Sequence, residues 1–112
     1  MAFLRGDIVL VPFPFTNLTT SKVRPALVLS GALYQGSEPV LILGAITSNL
    51  RAATGPFDYV FHDWKAAGLQ LPSAFKAVLA TIERRRIIHS IGSLTIDDLM
   101  QVERHLRRMF EL

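Results

Sequence analysis

Lys22-Val23-Arg24-Pro25-Ala26-Leu27-Val28-Leu29 sets two cations and a proline ahead of an unbroken aliphatic run. Residues 26–29 read as a β-strand, because aliphatic and β-branched side chains suit a pleated, buried surface. Similar runs flank this one. Ile8-Val9-Leu10-Val11 predicts a strand before it. Pro12 and Pro14 have no N–H to give a ladder, so that strand must end, bulge or lie at an edge there. Residues 39–43, running into 45–48, predict a strand after it. Residues 16–23 and 31–38 read as polar connections.

Beyond residue 48 the punctuation is denser. Residues 49–56 form a loop marked by Gly55-Pro56. Residues 57–61 predict a strand with an aromatic face, and 62–69 a helical turn ending near Gly68. Pro72-Ser73 is a break. Residues 77–82 and 86–91 predict two further strands around the basic run Glu83-Arg84-Arg85-Arg86.

The last element is helical. Thr95 suits an N-cap, since its hydroxyl can accept an orphan backbone N–H. Asp97 and Asp98 follow at the positive end of the helix dipole, and Arg104, Arg107 and Arg108 stand near the negative end. Leu99, Val102, Leu106 and Met109 or Phe110 recur at three- and four-residue spacing. An amphipathic helix over 96–110 is expected to lie on the sheet, with its Met and Phe side chains in the core. Five or six short strands and one terminal helix predict a mainly β chain, a β-rich α+β fold in which a small barrel carries a C-terminal amphipathic helix.

Composition bounds what such a chain does. Its 112 residues, half of them apolar, suit one domain spanning 1–112 with a single core. A domain this small buries roughly 60–70% of its unfolded surface, so apolar surface is left for a partner subunit. There is no cysteine, which excludes disulfides and thiolate metal sites and fits a reducing compartment. The N-terminus lacks the pattern of a signal peptide, and apolar runs fall far short of the ~20 residues that span a bilayer. A soluble cytoplasmic protein is expected. The net charge of +3 is concentrated at 84–86 and 104–108. Such clusters favour a polyanion such as nucleic acid, or serve as solvated faces, or pair with an acidic protein.

Several chemistries are missing. No glycine-rich phosphate loop and no Gly-x-Ser-x-Gly elbow occurs. His62, His89 and His105 have no second ligand at metal spacing and read as surface or satisfied core residues. No metal or cofactor is expected.

Two spots stand out. Arg24 precedes Pro25, which biases it to an extended backbone, and it opens an apolar strand. A guanidinium fixed there suits bidentate phosphate binding, or pairs with a carboxylate. Thr47-Ser48-Asn49 ends the third strand, where its hydroxyls and amide bind an oxyanion or start a turn.

Gly6-Asp7-Ile8-Val9-Leu10-Val11-Pro12-Phe13, Lys22-Val23-Arg24-Pro25-Ala26-Leu27-Val28-Leu29-Ser30 and Ala45-Ile46-Thr47-Ser48 together resemble the MazF/PemK toxins of type II toxin–antitoxin systems. Asp63-Trp64-Lys65-Ala66-Ala67-Gly68-Leu69, Pro72-Ser73 and Ile91-Gly92-Ser93-Leu94 resemble the later segments of that family. The resemblance spans nearly the whole chain. It implies an SH3-like barrel, a homodimer, an acidic antitoxin as partner, and a metal-independent endoribonuclease acting on single-stranded RNA. In that reading the RNA 2′-hydroxyl attacks the adjacent phosphorus, leaving 2′,3′-cyclic phosphate and 5′-hydroxyl ends. The family's catalytic arginine falls on Arg24 and its catalytic hydroxyl on Thr47. Thr16, Asn17, Thr19, Ser21, Lys22, Ser48 and Asn49 are the expected substrate contacts.

The chain departs from the family pattern at one position. Thr19 stands where well-known members carry a glutamate, so the general base has to come from elsewhere. Asp7, Glu38 and His62 are the substitutes considered. Two other readings follow: a barrel that binds RNA without cutting it, and a gyrase inhibitor like CcdB. The latter depends on a tryptophan near its C-terminus, whereas the one tryptophan here is Trp64.

Overall fold

The computed structural model describes residues 2–13 and 22–112. The strands are β1 (Asp7–Phe13), β2 (Lys22–Val28), β3 (Val40–Thr47), β4 (Tyr59–Val60), β5 (Ala74–Glu83) and β6 (His89–Ser93). They form one antiparallel sheet in the order β4-β5-β3-β2-β1-β6, curled into a half-barrel. Helix α1 (Ala32–Ser37) joins β2 to β3, and helix α2 (Ile96–Phe110) ends the chain.

Successive side chains of a strand point to opposite faces, so an aliphatic run feeds two cores at once. Val9, Val11, Phe13, Ala26, Val28, Leu41, Leu43 and Ala45 pack in one cluster with Phe3 and Ile82. Ile8, Leu27, Leu29, Ile46 and Phe75 pack in the other, together with Val102 of α2. The unbroken Ala26-Leu27-Val28 run is explained: both faces of β2 are buried.

Helix α2 matches its expected bounds and its cap. The Asp98 N–H donates to the Thr95 hydroxyl at 3.4 Å. Val102 is fully buried and Leu99 and Leu106 pack beside it. Phe110 and Met100, expected in the core, are instead about half exposed. They stand at the border of the apolar stripe, where the sheet has ended or turned away.

Asp98 is the larger surprise. It stands in the first turn of α2, at the positive end of the dipole as expected, yet it is 1% exposed. Its carboxylate accepts the Tyr59 hydroxyl at 2.6 Å, the His62 N–H at 3.0 Å and the Asp63 N–H at 2.8 Å. It thereby ties the segment after β4 to the helix. Asp58 does the same for the preceding turn, accepting the N–H groups of Gly55 and Ala77.

Other elements shift. Residues 31–38 contain the short α1, which carries no amphipathic pattern of its own. It is anchored by buried Gln35, whose amide oxygen accepts the Phe3 N–H and whose NH₂ donates to the Ser30 carbonyl. The strand expected over 57–61 shrinks to β4, β5 begins at Ala74, and β6 starts only at His89. Arg84–Arg86 is a 3₁₀ turn whose first N–H donates to the Pro39 carbonyl.

Candidate functional site

A cleft of about 500 Å³ opens where β2 begins and β3 ends. Its apolar lining includes Leu10, Pro25 and Ile46, and its polar lining Arg24, Thr47, Ser48 and His89. The strands explain the convergence. The antiparallel register sets Ala26 opposite Ala45. Two residues further along each strand, on the same side of the pleat, come Arg24 and Thr47.

Each of these residues sits on firm backbone. Arg24 lies opposite Val11 in the β1–β2 ladder and is half-buried. Thr47 lies opposite Ala74 of β5. The Thr47 Oγ1 accepts the Asn49 N–H at 3.1 Å. That bond fixes the hydroxyl and leaves its hydrogen to donate into the cleft.

The far wall comes from residues 68–73 and from β6. Gly68 has φ of +93°, a conformation that glycine takes without a Cβ penalty. A Cβ there would also run into the Ile91 carbonyl oxygen, so the turn lies directly on β6. Asp98 holds the His62 and Asp63 amides, at the start of the segment that leads into residues 68–73. Burial alone raises a carboxyl, yet the Tyr59 hydroxyl and these two amides outweigh it and hold Asp98 below the usual carboxylate range. The same contact, with burial as the larger cause, pushes the Tyr59 hydroxyl up.

The expected site residues divide into three groups. Arg24, Thr47 and Ser48 line the cleft. Lys22 and Asn49 are exposed next to it in the chain but do not line it. Thr16, Asn17, Thr19 and Ser21 lie outside the described residues. The expected base substitutes are all elsewhere. Asp7 accepts the Leu4 N–H and the Ser93 hydroxyl. Glu38 follows α1 as its C-cap. His62 lines a different cavity, beside Asp63, Asp97 and Asp98.

His89 is the cleft residue that sequence reading missed. As an isolated histidine between arginines and isoleucines it carried no signal, because its neighbours in space come from β1 and β2. Gln70 was missed likewise. A guanidinium, three hydroxyls, an amide and an imidazole around an apolar floor form a site for a phosphate-like oxyanion attached to a flat or apolar group. Among the described residues, no three His, Asp or Glu side chains converge as a metal ion would require.

Comparison with known proteins fits this arrangement. The family model for PemK-like, MazF-like toxins of type II toxin–antitoxin systems matches residues 4–110. The chain belongs to the PemK/MazF toxin family. Solved structures agree in fold. An endoribonuclease from a Mycobacterial species, in complex with its cognate antitoxin, superposes with a TM-score of 0.81 at 15% identity, covering 99% of this chain and 97% of that one. MazF from Deinococcus radiodurans gives 0.76 at 25% identity, over 100% and 99%. A MazE–MazF complex from the same organism gives 0.77 at 24%, over 100% and 99%. No curated protein matches at a significant level. As a PemK/MazF toxin, the chain keeps the family fold from Leu4 to Phe110 while its pairwise identities stay low.

Proposed function

We propose that this chain is an endoribonuclease that cuts single-stranded RNA and serves as the toxin of a toxin–antitoxin pair. The observation that carries the reading is that Arg24 and Thr47, from two different strands, line one cleft. RNA supplies its own nucleophile, so the protein need only hold the phosphate, steady its charge and move protons. Arg24 grips the non-bridging oxygens with its guanidinium fork and stabilises the phosphorane. Thr47 donates its hydroxyl to the phosphate, and Ser48 adds a second donor. The P–O5′ bond breaks as the 2′-oxygen bonds to phosphorus, giving a 2′,3′-cyclic phosphate and a 5′-hydroxyl. No metal-bound water is needed for this route. Need for the 2′-hydroxyl also separates RNA from DNA.

Lys22 and Asn49 beside the cleft, with Thr16, Asn17, Thr19 and Ser21, are the proposed contacts to the rest of the strand. A homodimer and an acidic antitoxin are the proposed partners, in the cytoplasm. Support comes from the basic balance and from exposed apolar side chains such as Ile96, Phe110 and Leu112. An apolar groove of about 380 Å³ between α2 and the sheet is lined by Leu29, Ile42, Leu79 and Leu106, with Arg107 and the Arg5–Glu103 ion pair at its rim, and suits an antitoxin segment whose apolar side chains fill it. Among the described residues, no helix is long and apolar enough to cross a membrane.

The test is cleavage of single-stranded RNA by purified protein in excess chelator, with analysis of the ends. Cyclic phosphate and 5′-hydroxyl ends, lost in Arg24→Ala, are expected. Intact RNA, or equal cleavage by Arg24→Ala, overturns the reading. Thr19, standing where well-known members have glutamate, favours one alternative, a barrel that binds RNA without cutting it. Retention of RNA with no product selects that alternative.

A further inference from the structure

We propose that His89 is the general base of the reaction, taking the 2′-hydroxyl proton in place of the family's missing glutamate. This rests on the ribonuclease reading above and deepens it. The geometry of the sheet makes the case. In the order β3-β2-β1-β6, Thr47 and His89 lie on strands to either side of the strand that carries Arg24. Leu10 of β1 pairs with Pro25 on one side and with His89 on the other. The row Pro25–Leu10–His89 therefore crosses three strands at the level of the cleft, and all three residues line it. Arg24 and Thr47 belong to the neighbouring positions of the pleat, Arg24 opposite Val11, and border the same cleft. A phosphate held in that cleft shares it with a guanidinium, a hydroxyl and an imidazole.

Elimination points the same way. Among the described residues lining the cleft, His89 and Arg24 are the only titratable side chains. No carboxylate faces His89 from β1, β2, β3 or residues 68–73 within that lining. The unbroken sequence Pro14-Phe15-Thr16-Asn17-Leu18-Thr19-Thr20-Ser21 contains no Asp, Glu or His, so the β1–β2 connection supplies no base. Asp7 is held by the Leu4 N–H and the Ser93 hydroxyl, and neither Glu38 nor His62 lines the cleft. His89 is exposed, and its ring makes no hydrogen bond among the described residues, so it is available to a substrate. Imidazole is the side chain best suited to proton transfer near neutral pH.

The step balances as follows. A neutral imidazole nitrogen takes the proton of the 2′-hydroxyl as that oxygen bonds to phosphorus. The P–O5′ bond breaks, and the departing 5′-oxygen takes a proton from water. The imidazolium then returns its proton to solvent.

The test compares wild type, His89→Gln and His89→Ala on a short single-stranded RNA containing the cleaved sequence. Binding is measured on the same RNA with a 2′-deoxy sugar at the scissile position. His89→Gln should cut about 10²–10⁴-fold more slowly, with affinity for the deoxy analogue and melting temperature near those of wild type. The wild-type rate should fall as pH drops and the imidazole protonates, and His89→Gln should lack that limb. Added imidazole should partly restore His89→Ala, which a purely structural role for the ring would not allow. His62→Gln should cut like wild type. If wild type cuts RNA and His89→Gln matches it in rate and pH profile, this proposal is overturned while the ribonuclease reading stands. If wild type cuts nothing, both fall.

Discussion

Tyr59 and Asp98, 39 positions apart, meet hydroxyl to carboxylate at 2.6 Å and tie β4 to helix α2. Asp98 also holds the His62 and Asp63 amides, so one buried acceptor serves three donors. Each buried donor stripped of its partner costs about 1–3 kcal/mol. Asp98→Ala should therefore destabilise the fold by about 3–5 kcal/mol. Tyr59→Phe, which removes one donor along with its bond, should cost about 1–2 kcal/mol. Urea unfolding checks both, and an Asp98→Ala midpoint equal to wild type would contradict the role given to this carboxylate.

The same carboxylate sets a direction for acid stability. Asp98 and Asp58 both ionise more readily folded than their usual value of 3.8, because hydrogen bonds outweigh burial. A depressed folded pKa contributes stability that is present above the unfolded value and lost as pH falls through the folded one. Stability should hold level above about pH 5 and drop below pH 4. Asp98→Asn should be less stable near neutral pH and show a shallower acid limb. Thermal melts from pH 3 to 6 read this out. Tyr59 acts at the other end. Its ionisation is raised above the usual 10.0 by burial and by Asp98. It thus favours the fold below that value, and stability should decline as the pH climbs above it.

Arg24 and Thr47 should separate charge from geometry. Arg24→Ala should lower the cleavage rate by about 10²–10³-fold. Arg24→Lys keeps a charge but not the planar fork, and should recover only part of that loss. Thr47→Ser should retain most activity, while Thr47→Val, equal in shape but without the hydroxyl, should not. Single-turnover rates at saturating protein make the comparison, with a Thr47→Val rate equal to wild type as the contrary result.

Gly68 offers a purely steric test. Its positive φ and its contact with the Ile91 carbonyl leave no room for a Cβ. Gly68→Ala should cost about 1–2 kcal/mol from conformation alone, and more from the clash with β6. The unfolding midpoint should fall accordingly. Cleavage should fall with it at temperatures where the protein is still folded, because Leu69, Gln70 and Leu71 of the cleft wall follow directly.

What the sequence disclosed depended on the range of each interaction. Helix α2 was legible because Thr95, Asp97, Leu99 and Val102 signal within a turn or two of one another. Strands β1 to β3 were legible because burial on both faces writes a continuous aliphatic run. Arg24 and Thr47 stand out from their places at the ends of apolar strands, and the family resemblance is what pairs them and gives them roles. Asp98 stands in the first turn of α2 as expected, but its burial left no trace in the sequence because its three donors lie 35 to 39 positions away. The nearby dipole explanation accounted for the residue without them. His89 carries no local mark for a related reason: it reaches the cleft through Leu10, which pairs with it on one side and with Pro25 on the other, and pairing register across three strands is not written in neighbouring residues. Helix α1 was missed because six residues are too few to display a periodicity.

The cleft spans four hydrogen-bonded strands, and this divides the chain's freedom to vary. Arg24, Thr47 and His89 are each locked into register by neighbours on both sides or by a partner strand, so drift at those positions disturbs the sheet as well as the reaction. The eight residues from Pro14 to Ser21 carry no charge and no acid or base. They can diverge without altering the proton chemistry proposed for the cleft. Under the proposed function, changes in this uncharged connection alter contacts to the RNA strand and leave Arg24, Thr47 and His89 in place.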